Sequence, residues 1–233
     1  MSLRKVVTPF NLANIPGCVL YVPLWKTYLR GSSFRSLDKY GHSCAVTGAT
    51  WGSQGRNFDG TDDYTDCGSG TSLDITGQIT LAAWVKIGTS SGDIRFALGK
   101  GQSTSRRAYF LLFVVATGVA TIYITSDGSS STKWGRPTST AINDDVWHFI
   151  TGTFTPSGSL NMYRDGVLNN GTAEGSAQAS IYDSSDNLRI GHGNKGDTTN
   201  YWGGIIGEVL IFNRALSASE IANIYRNTRW RYS

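Results

Sequence analysis

The sequence holds little of what most narrows a function. Three cysteines, three histidines, two methionines, five prolines and three glutamates are spread over 233 residues. Cys18, Cys44 and Cys67 are odd in number and show no CxxC spacing, which argues against a full disulfide framework and against a cysteine zinc site. One disulfide with a free thiol remains open, and three buried thiols is the plainer expectation. His42, His148 and His192 are scattered without an H-x-x-x-H spacing. His148, mid-strand between Trp147 and Phe149, is expected to be structural or to sit on an exposed face. No stretch approaches the ~18 consecutive apolar residues of a membrane span, so no membrane insertion is expected. The apolar run VVTPFNLANIPGCVLYVPLW is broken by Pro9, Asn11, Asn14, Pro16 and Pro23 and does not read as a signal-peptide core. A role outside the cell would need another route.

Charge is also sparse, at 16% of residues. Residues 1–58 carry seven basic side chains against Asp38 alone, a net of +6, and the other 175 residues carry fourteen basic against sixteen acidic, a net of −2. A nucleic-acid binder concentrates Lys and Arg on one face or along one helix. The near-neutral bulk argues against nucleic acid.

What is present is glycine, aromatic residues and short apolar runs. Twenty-eight glycines and 12% aromatic residues favour many short strands joined by tight turns. LAAWVKI (81–87) alternates, with Leu81, Ala83, Val85 and Ile87 on one face and Trp84 and Lys86 on the other. AYFLLFVVA (108–116) is apolar throughout, as in a strand buried on both faces. VWHFITGTF (146–154), SLNMYRDGVLN (159–169), NLRIG (187–191) and GIIGEVLIF (204–212) follow with turn signals between them. Asp165-Gly166 predicts a two-residue hairpin. This spacing argues for an all-β antiparallel sandwich. One helix is expected near the C-terminus, where Ser217 and Glu220 form a capping box, Leu216 can staple against Ile221, and Ile221, Ile224 and Tyr225 make an apolar stripe. The expected organisation is a basic lead over 1–55 adding edge strands to the same domain, a sandwich over 56–226, and a basic, aromatic tail over 227–233.

FDGTDDY (58–64), LAAWVKI, FALGKG (96–101), VWHFITGTF, NMYRDGVL (161–168), LRIGHG (188–193) and above all GGIIGEVLIFNRALSASEIANIY (203–225) resemble, in order, the laminin-G-like, concanavalin-A-like jelly rolls. The resemblance implies a two-sheet jelly-roll sandwich with a short C-terminal helix. Lectins, pentraxins, adhesion modules and some glycan-cleaving enzymes use that fold, so the fold does not choose among them. VLYVPLW and ATWGSQGRNFDG also resemble, on fewer residues, the leading part of such domains in phage and environmental viral structural proteins.

The glucanases of this fold carry their carboxylates in an E-x-D-x-x-E pattern, and glycan hydrolysis in general needs a pair of them. Glu174, Glu208 and Glu220 fit no such pattern, so no enzyme is expected. FDGTDDYTDCGSG (58–70) gathers four carboxylates and three glycines but lacks the spacing and distal glutamate of an EF-hand. In the resembled fold such a loop often holds calcium together with an aspartate near the last strand. That aspartate would fall at Gly207, so the candidate calcium ligands are Asp59, Asp62 and, as a substitute, Glu208. The other reading is that Asp59 and Asp62 hydrogen-bond their own turn. Trp134, Tyr201 and Trp202 lie in turn-rich stretches and His192 in the glycine-rich GHGNKGD; all four are candidate ligand contacts, because sugar rings stack on flat aromatic faces. The expected role is a lectin-like recognition module for a glycan or glycoprotein surface in adhesion. The alternative is a virion or appendage protein that uses the jelly roll for assembly with virion proteins or as a homo-oligomer, with the lead and the Arg226, Arg229, Trp230, Arg231, Tyr232 tail as docking segments.

Overall fold

The computed structural model describes residues 10–88, 93–101, 105–193 and 199–233. Its strands are β1 (Cys18–Pro23), β2 (Ser33–Arg35), β3 (Ser43–Thr47), β4 (Thr50–Gly52), β5 (Gly55–Asp59), β6 (Tyr64–Asp66), β7 (Ile79–Ile87) and β8 (Ile94–Lys100). They continue with β9 (Tyr109–Val114), β10 (Val119–Ile124), β11 (Trp134–Pro137), β12 (Trp147–Phe154), β13 (Leu160–Arg164), β14 (Val167–Leu168), β15 (Leu188–Ile190) and β16 (Gly203–Phe212), before helix α1 (Ala218–Thr228). All pairings are antiparallel and build two sheets. One runs β14-β13-β12-β7-β16-β5-β4, with β1 also on β16, and the other runs β11-β10-β9-β8-β15-β6-β3-β2.

The period-two pattern decides which side chains meet. In β7, Leu81, Ala83, Val85 and Ile87 enter the core between the sheets, while Ala82 and Trp84 face outward into a second cluster with Phe149, Leu210, Ile221 and Tyr232. That second cluster exists because α1, the segment around Leu12 and Ile15, and Tyr232 cover the outer face of the first sheet. Trp84 lies 4.4 Å from the Tyr232 ring and 5.6 Å from the Tyr225 ring, and its Nε1 donates to Thr228 Oγ1 at 2.8 Å. The tail is thus folded onto the sandwich as far as Tyr232, which is buried. β9 is buried on both faces, with Tyr109, Leu111 and Phe113 inward and Phe110 and Leu112 on the outer face of the second sheet with Phe96.

The local signals act as their chemistry requires. Asp165 and Gly166 take φ of 53° and 79°, the pair of left-handed residues of a type I′ hairpin turn. The Ser217 hydroxyl accepts from Glu220 N, and the Glu220 carboxylate accepts from Ser217 N at 2.9 Å, closing the capping box while Leu216 and Ile221 share the outer cluster.

The lead supplies β1 to β4. Arg56, in β5 just beyond it, is buried and donates to the lead's carbonyls of Ala49, Leu29 and Gly31, so this charge fastens the chain internally. The three cysteines are free and buried. Cys44 and Cys67 extend the β3–β6 pairing, and the Cys44 thiol donates to Cys67 Sγ at 2.8 Å. That hydrogen bond and burial hold the Cys67 pKa well above the ordinary thiol value.

Candidate binding site

The outer face of the second sheet carries a groove of about 940 Å3. Alternation along β8, β9 and β10 turns Ile94, Val114, Val119 and Tyr123 onto its floor while Ile122 and Ile124 point into the core. One wall is Arg136–Ser139; the other is 170–174, joined to it by bridges at Gly135–Glu174 and Thr138–Asn170. Arg136 ties the walls down, donating from Nε to Leu160 O and from Nη1 to Gly171 O, both at 2.9 Å.

Tyr123 is the one aromatic ring on the floor, and it is held in place. A Cβ at Gly135 would lie 2.2 Å from that ring, so glycine lets the ring rest across β11. The Tyr123 hydroxyl donates to Glu174, and Lys133 Nζ sits 4.5 Å from the ring centroid and 3.7 Å from Glu174 Oε2. Burial and the neighbouring Glu174 raise the phenol pKa well above its ordinary value. The groove therefore joins apolar floor, an oriented aromatic ring and hydrogen-bonding side chains in an open cleft, the composition of a small-ligand site.

The candidate residues from the sequence fall elsewhere. Trp134 lies in β11 but is only 7% exposed and meets Phe154 edge-on in the core. Trp202 is 2% exposed and belongs to the same core. Neither offers a face to a ligand, because the turn-rich segments that carry them drop their large rings between the sheets. His192 is buried under Tyr201, with ring centroids 4.1 Å apart, and touches Phe96 edge-on. A Cβ at Gly193 would meet Phe96 at 2.6 Å, so glycine brings this segment down onto Phe96 and Phe110. Half-buried Tyr201 is the part of this pair that reaches solvent. The remainder of the glycine-rich stretch, 194–198, lies outside the described residues.

The acid turn brings three carboxylates together, but not the expected three. Oxygens of Asp59, Asp62 and Asp63 lie within 4.8 Å of one another. Asp63 is buried, its Oδ2 accepts from Asp59 N at 2.9 Å, and burial with Asp59 and Asp62 nearby raises its pKa. Asp59 Oδ1 also accepts from Thr61 N, which is the Asp59 part of the self-capped turn. Three hard oxygen donors converging at a turn suit a calcium ion. Glu208 does not join them. It is fully buried, and its Oε1 accepts from Tyr21 Oη, Trp25 Nε1 and Arg231 Nη1 at 2.9–3.0 Å. Burial pushes its pKa up against the pull of Arg231 and the two neutral donors. The reason lies in β16: Ile206 pairs with Val85 but Val209 with Ala83, so Gly207 and Glu208 form a bulge opposite Trp84. The bulge turns Glu208 out of the inter-sheet core toward the tail.

A family profile, described as the concanavalin A-like lectin/glucanases superfamily, matches residues 59–222. The chain belongs to this superfamily. No characterised protein matches this superfamily member by sequence. By structure it is similar to a Trypanosoma rangeli sialidase in complex with sialic acid, at 16% identity and a TM-score of 0.68 over 93% of this chain and 34% of that one. It is also similar to the binding domain of Paraclostridial Mosquitocidal Protein 1, at 11% identity and a TM-score of 0.67 over 90% of this chain and 52% of the other. The ligand-binding domain of Botulinum neurotoxin serotype D, in complex with N-acetylneuraminic acid, gives 14% identity and a TM-score of 0.66 over 91% and 51%. The chain thus spans about a third of the sialidase and about half of each toxin domain. At these identities the likeness concerns the fold.

Neither Tyr123 nor Asp63 is among the candidate residues named from the sequence. The signal for Tyr123 was the alternation of TIYIT, which turns it opposite to Ile122 and Ile124; the partners that make it a site come from strands and segments distant in sequence.

Proposed function

We propose that this protein is a non-catalytic, lectin-like recognition module whose groove on the second sheet receives a glycan. The observation that carries the reading is the pinned Tyr123 ring on an apolar floor between two polar walls. A pyranose lays its C–H face on such a ring while its hydroxyls reach Glu174, Thr172 and Ser139 on the walls. The superfamily and the sialic-acid complexes among the similar structures support a glycan as the class of ligand. A catalytic reading draws no support from the side chains lining this groove. Glu174 is the single carboxylate among them, whereas most glycoside hydrolases use two, ~5–10 Å apart. The raised pKa of Tyr123 runs against its use as a phenolate nucleophile.

The test is a glycan array probed with the wild type and with Val114→Arg, which plants a long side chain on the floor. At least one glycan bound by the wild type is expected to be lost in the variant. Wild-type binding to no glycan, with or without calcium, removes the lectin reading. Calcium at Asp59, Asp62 and Asp63 is a separate part of the proposal and is structural, since these residues do not line the groove.

A further inference from the structure

A second cavity, of about 710 Å3, opens on the opposite side of the molecule, over the outer face of the first sheet. Trp84 and Tyr232 lie at its base, Trp147, Tyr225 and Trp230 form its aromatic sides, and Arg226 and Arg229 stand at its rim. None of these residues lines the groove already described.

The Trp147 and Trp230 rings are held in place although they reach solvent. Trp230 is 66% exposed, yet its Nε1 donates to Asn227 O at 3.0 Å and the Arg231 guanidinium lies 4.7 Å from its ring. Partly exposed Trp147 packs 4.6 Å from the Tyr232 ring and donates to Gln54 Oε1, while Gln54 Nε2 donates to Arg231 O. Fixed flat faces that remain accessible are what a sugar ring requires, since little ordering is left for binding to pay for.

The charges narrow the ligand further. Among the described residues Arg226 and Arg229 form no ion pair, and both are exposed. Asp165, the one acidic side chain lining the cavity, is already engaged: its Oδ1 accepts from Phe149 N and its Oδ2 faces His148 Nδ1 at 2.8 Å. The side chains thus offer a ligand two guanidinium groups outside any ion pair among the described residues, Arg229 lying 5.9 Å from the Tyr225 ring, beside two indoles. Guanidinium pairs with carboxylate through parallel hydrogen bonds. The cavity volume lies within the ~300–1,000 Å3 of small-ligand sites. We propose that this cavity is a second binding site, specific for a carboxylated saccharide, with the sugar ring against Trp147 and Trp230 and the carboxylate on Arg226 and Arg229.

Tryptophan fluorescence titrated with sialyllactose, with a glucuronate-containing disaccharide and with neutral lactose tests this on the full chain. At least one acidic sugar is expected to bind ten-fold or more tightly than lactose. Trp230→Ala should weaken that binding at least ten-fold, and the double variant Arg226→Gln/Arg229→Gln should reduce it to the lactose level, both with unchanged melting temperature. Val114→Arg, in the other groove, should leave it unaltered. The proposal is overturned if neither acidic sugar binds, if lactose binds equally well, if Trp230→Ala binds like the wild type, or if Val114→Arg abolishes the signal. Competition by poly-glutamate at concentrations equal to those of the sugar also overturns it, in favour of an acidic protein partner.

Discussion

His148 is a buried imidazole between two carboxylates. Its Nδ1 lies 2.8 Å from Asp165 and its Nε2 3.0 Å from Asp144, with the Arg164 guanidinium 3.5 Å from each acid. Burial and the Arg164 charge disfavour the imidazolium, but the hydrogen bond and charge of Asp165 and the hydrogen bond of Asp144 outweigh them and raise the pKa above the ordinary value. A raised folded pKa contributes stability that is fully present below the unfolded value of ~6.5 and is lost as pH rises through the folded one. Urea midpoints of the wild type and His148→Gln should therefore differ most below about pH 6 and converge at higher pH; a gap independent of pH would contradict this. The tryptophans divide in the same residue-by-residue way. Trp202→Ala removes a 2% exposed core ring and should cost ~3–5 kcal/mol. Trp230→Ala removes a 66% exposed one and should stay within about 0.5 kcal/mol in denaturant titrations.

At the level of elements, α1 shows how far a cap can be read in advance. Ser217→Ala should destabilise the fold by ~1 kcal/mol. The Glu220 carboxyl is held down at about 2, first by its hydrogen bond from Arg214, despite some burial, and then by Ser217. A depressed pKa contributes stability present above the unfolded value of ~4.3 and lost as pH falls through the folded one. Glu220→Gln should therefore be destabilising near neutral pH and converge on the wild type only as pH falls through and below about 2, as followed by thermal melts. The helix, the Asp165-Gly166 hairpin and the two faces of β7 were legible because each depends on residues within a few positions of one another. Trp134 and Trp202 were misleading for the complementary reason: their neighbours in sequence are turn residues, but their neighbours in space are Phe154 and the inter-sheet core. Glu208 was assigned by analogy to a place one bulge away from where β16 puts it. The groove could not be read at all, since Tyr123, Gly135 and Glu174 meet only when β11 and the 170–174 segment come together.

At the scale of the whole molecule, two sheets share one core, so local changes are felt globally. The three buried thiols should resist a charged disulfide reagent in native buffer and all react in denaturant; rapid labelling of any one in the native state would contradict their burial. A calcium ion at Asp59, Asp62 and Asp63 would bind the folded chain alone and add ~2.7 kcal/mol at 100 times its dissociation constant. Melting should then rise between EDTA and millimolar calcium in the wild type and much less in Asp62→Asn. Equal melting of the wild type in both conditions would dismiss the ion. The bulge in β16 carries a further consequence, for which changes of chain length the fold can absorb. Because it is one residue surplus to the pairing with β7, deleting Gly207 leaves Ile206 and Val209 facing inward on either side of a now regular Glu208. A deletion in the strand outside the bulge inverts every residue beyond it. Position 207 is thus where this strand can be shortened, while it cannot be made bulkier: a Cβ there would lie 2.4 Å from the Tyr232 ring.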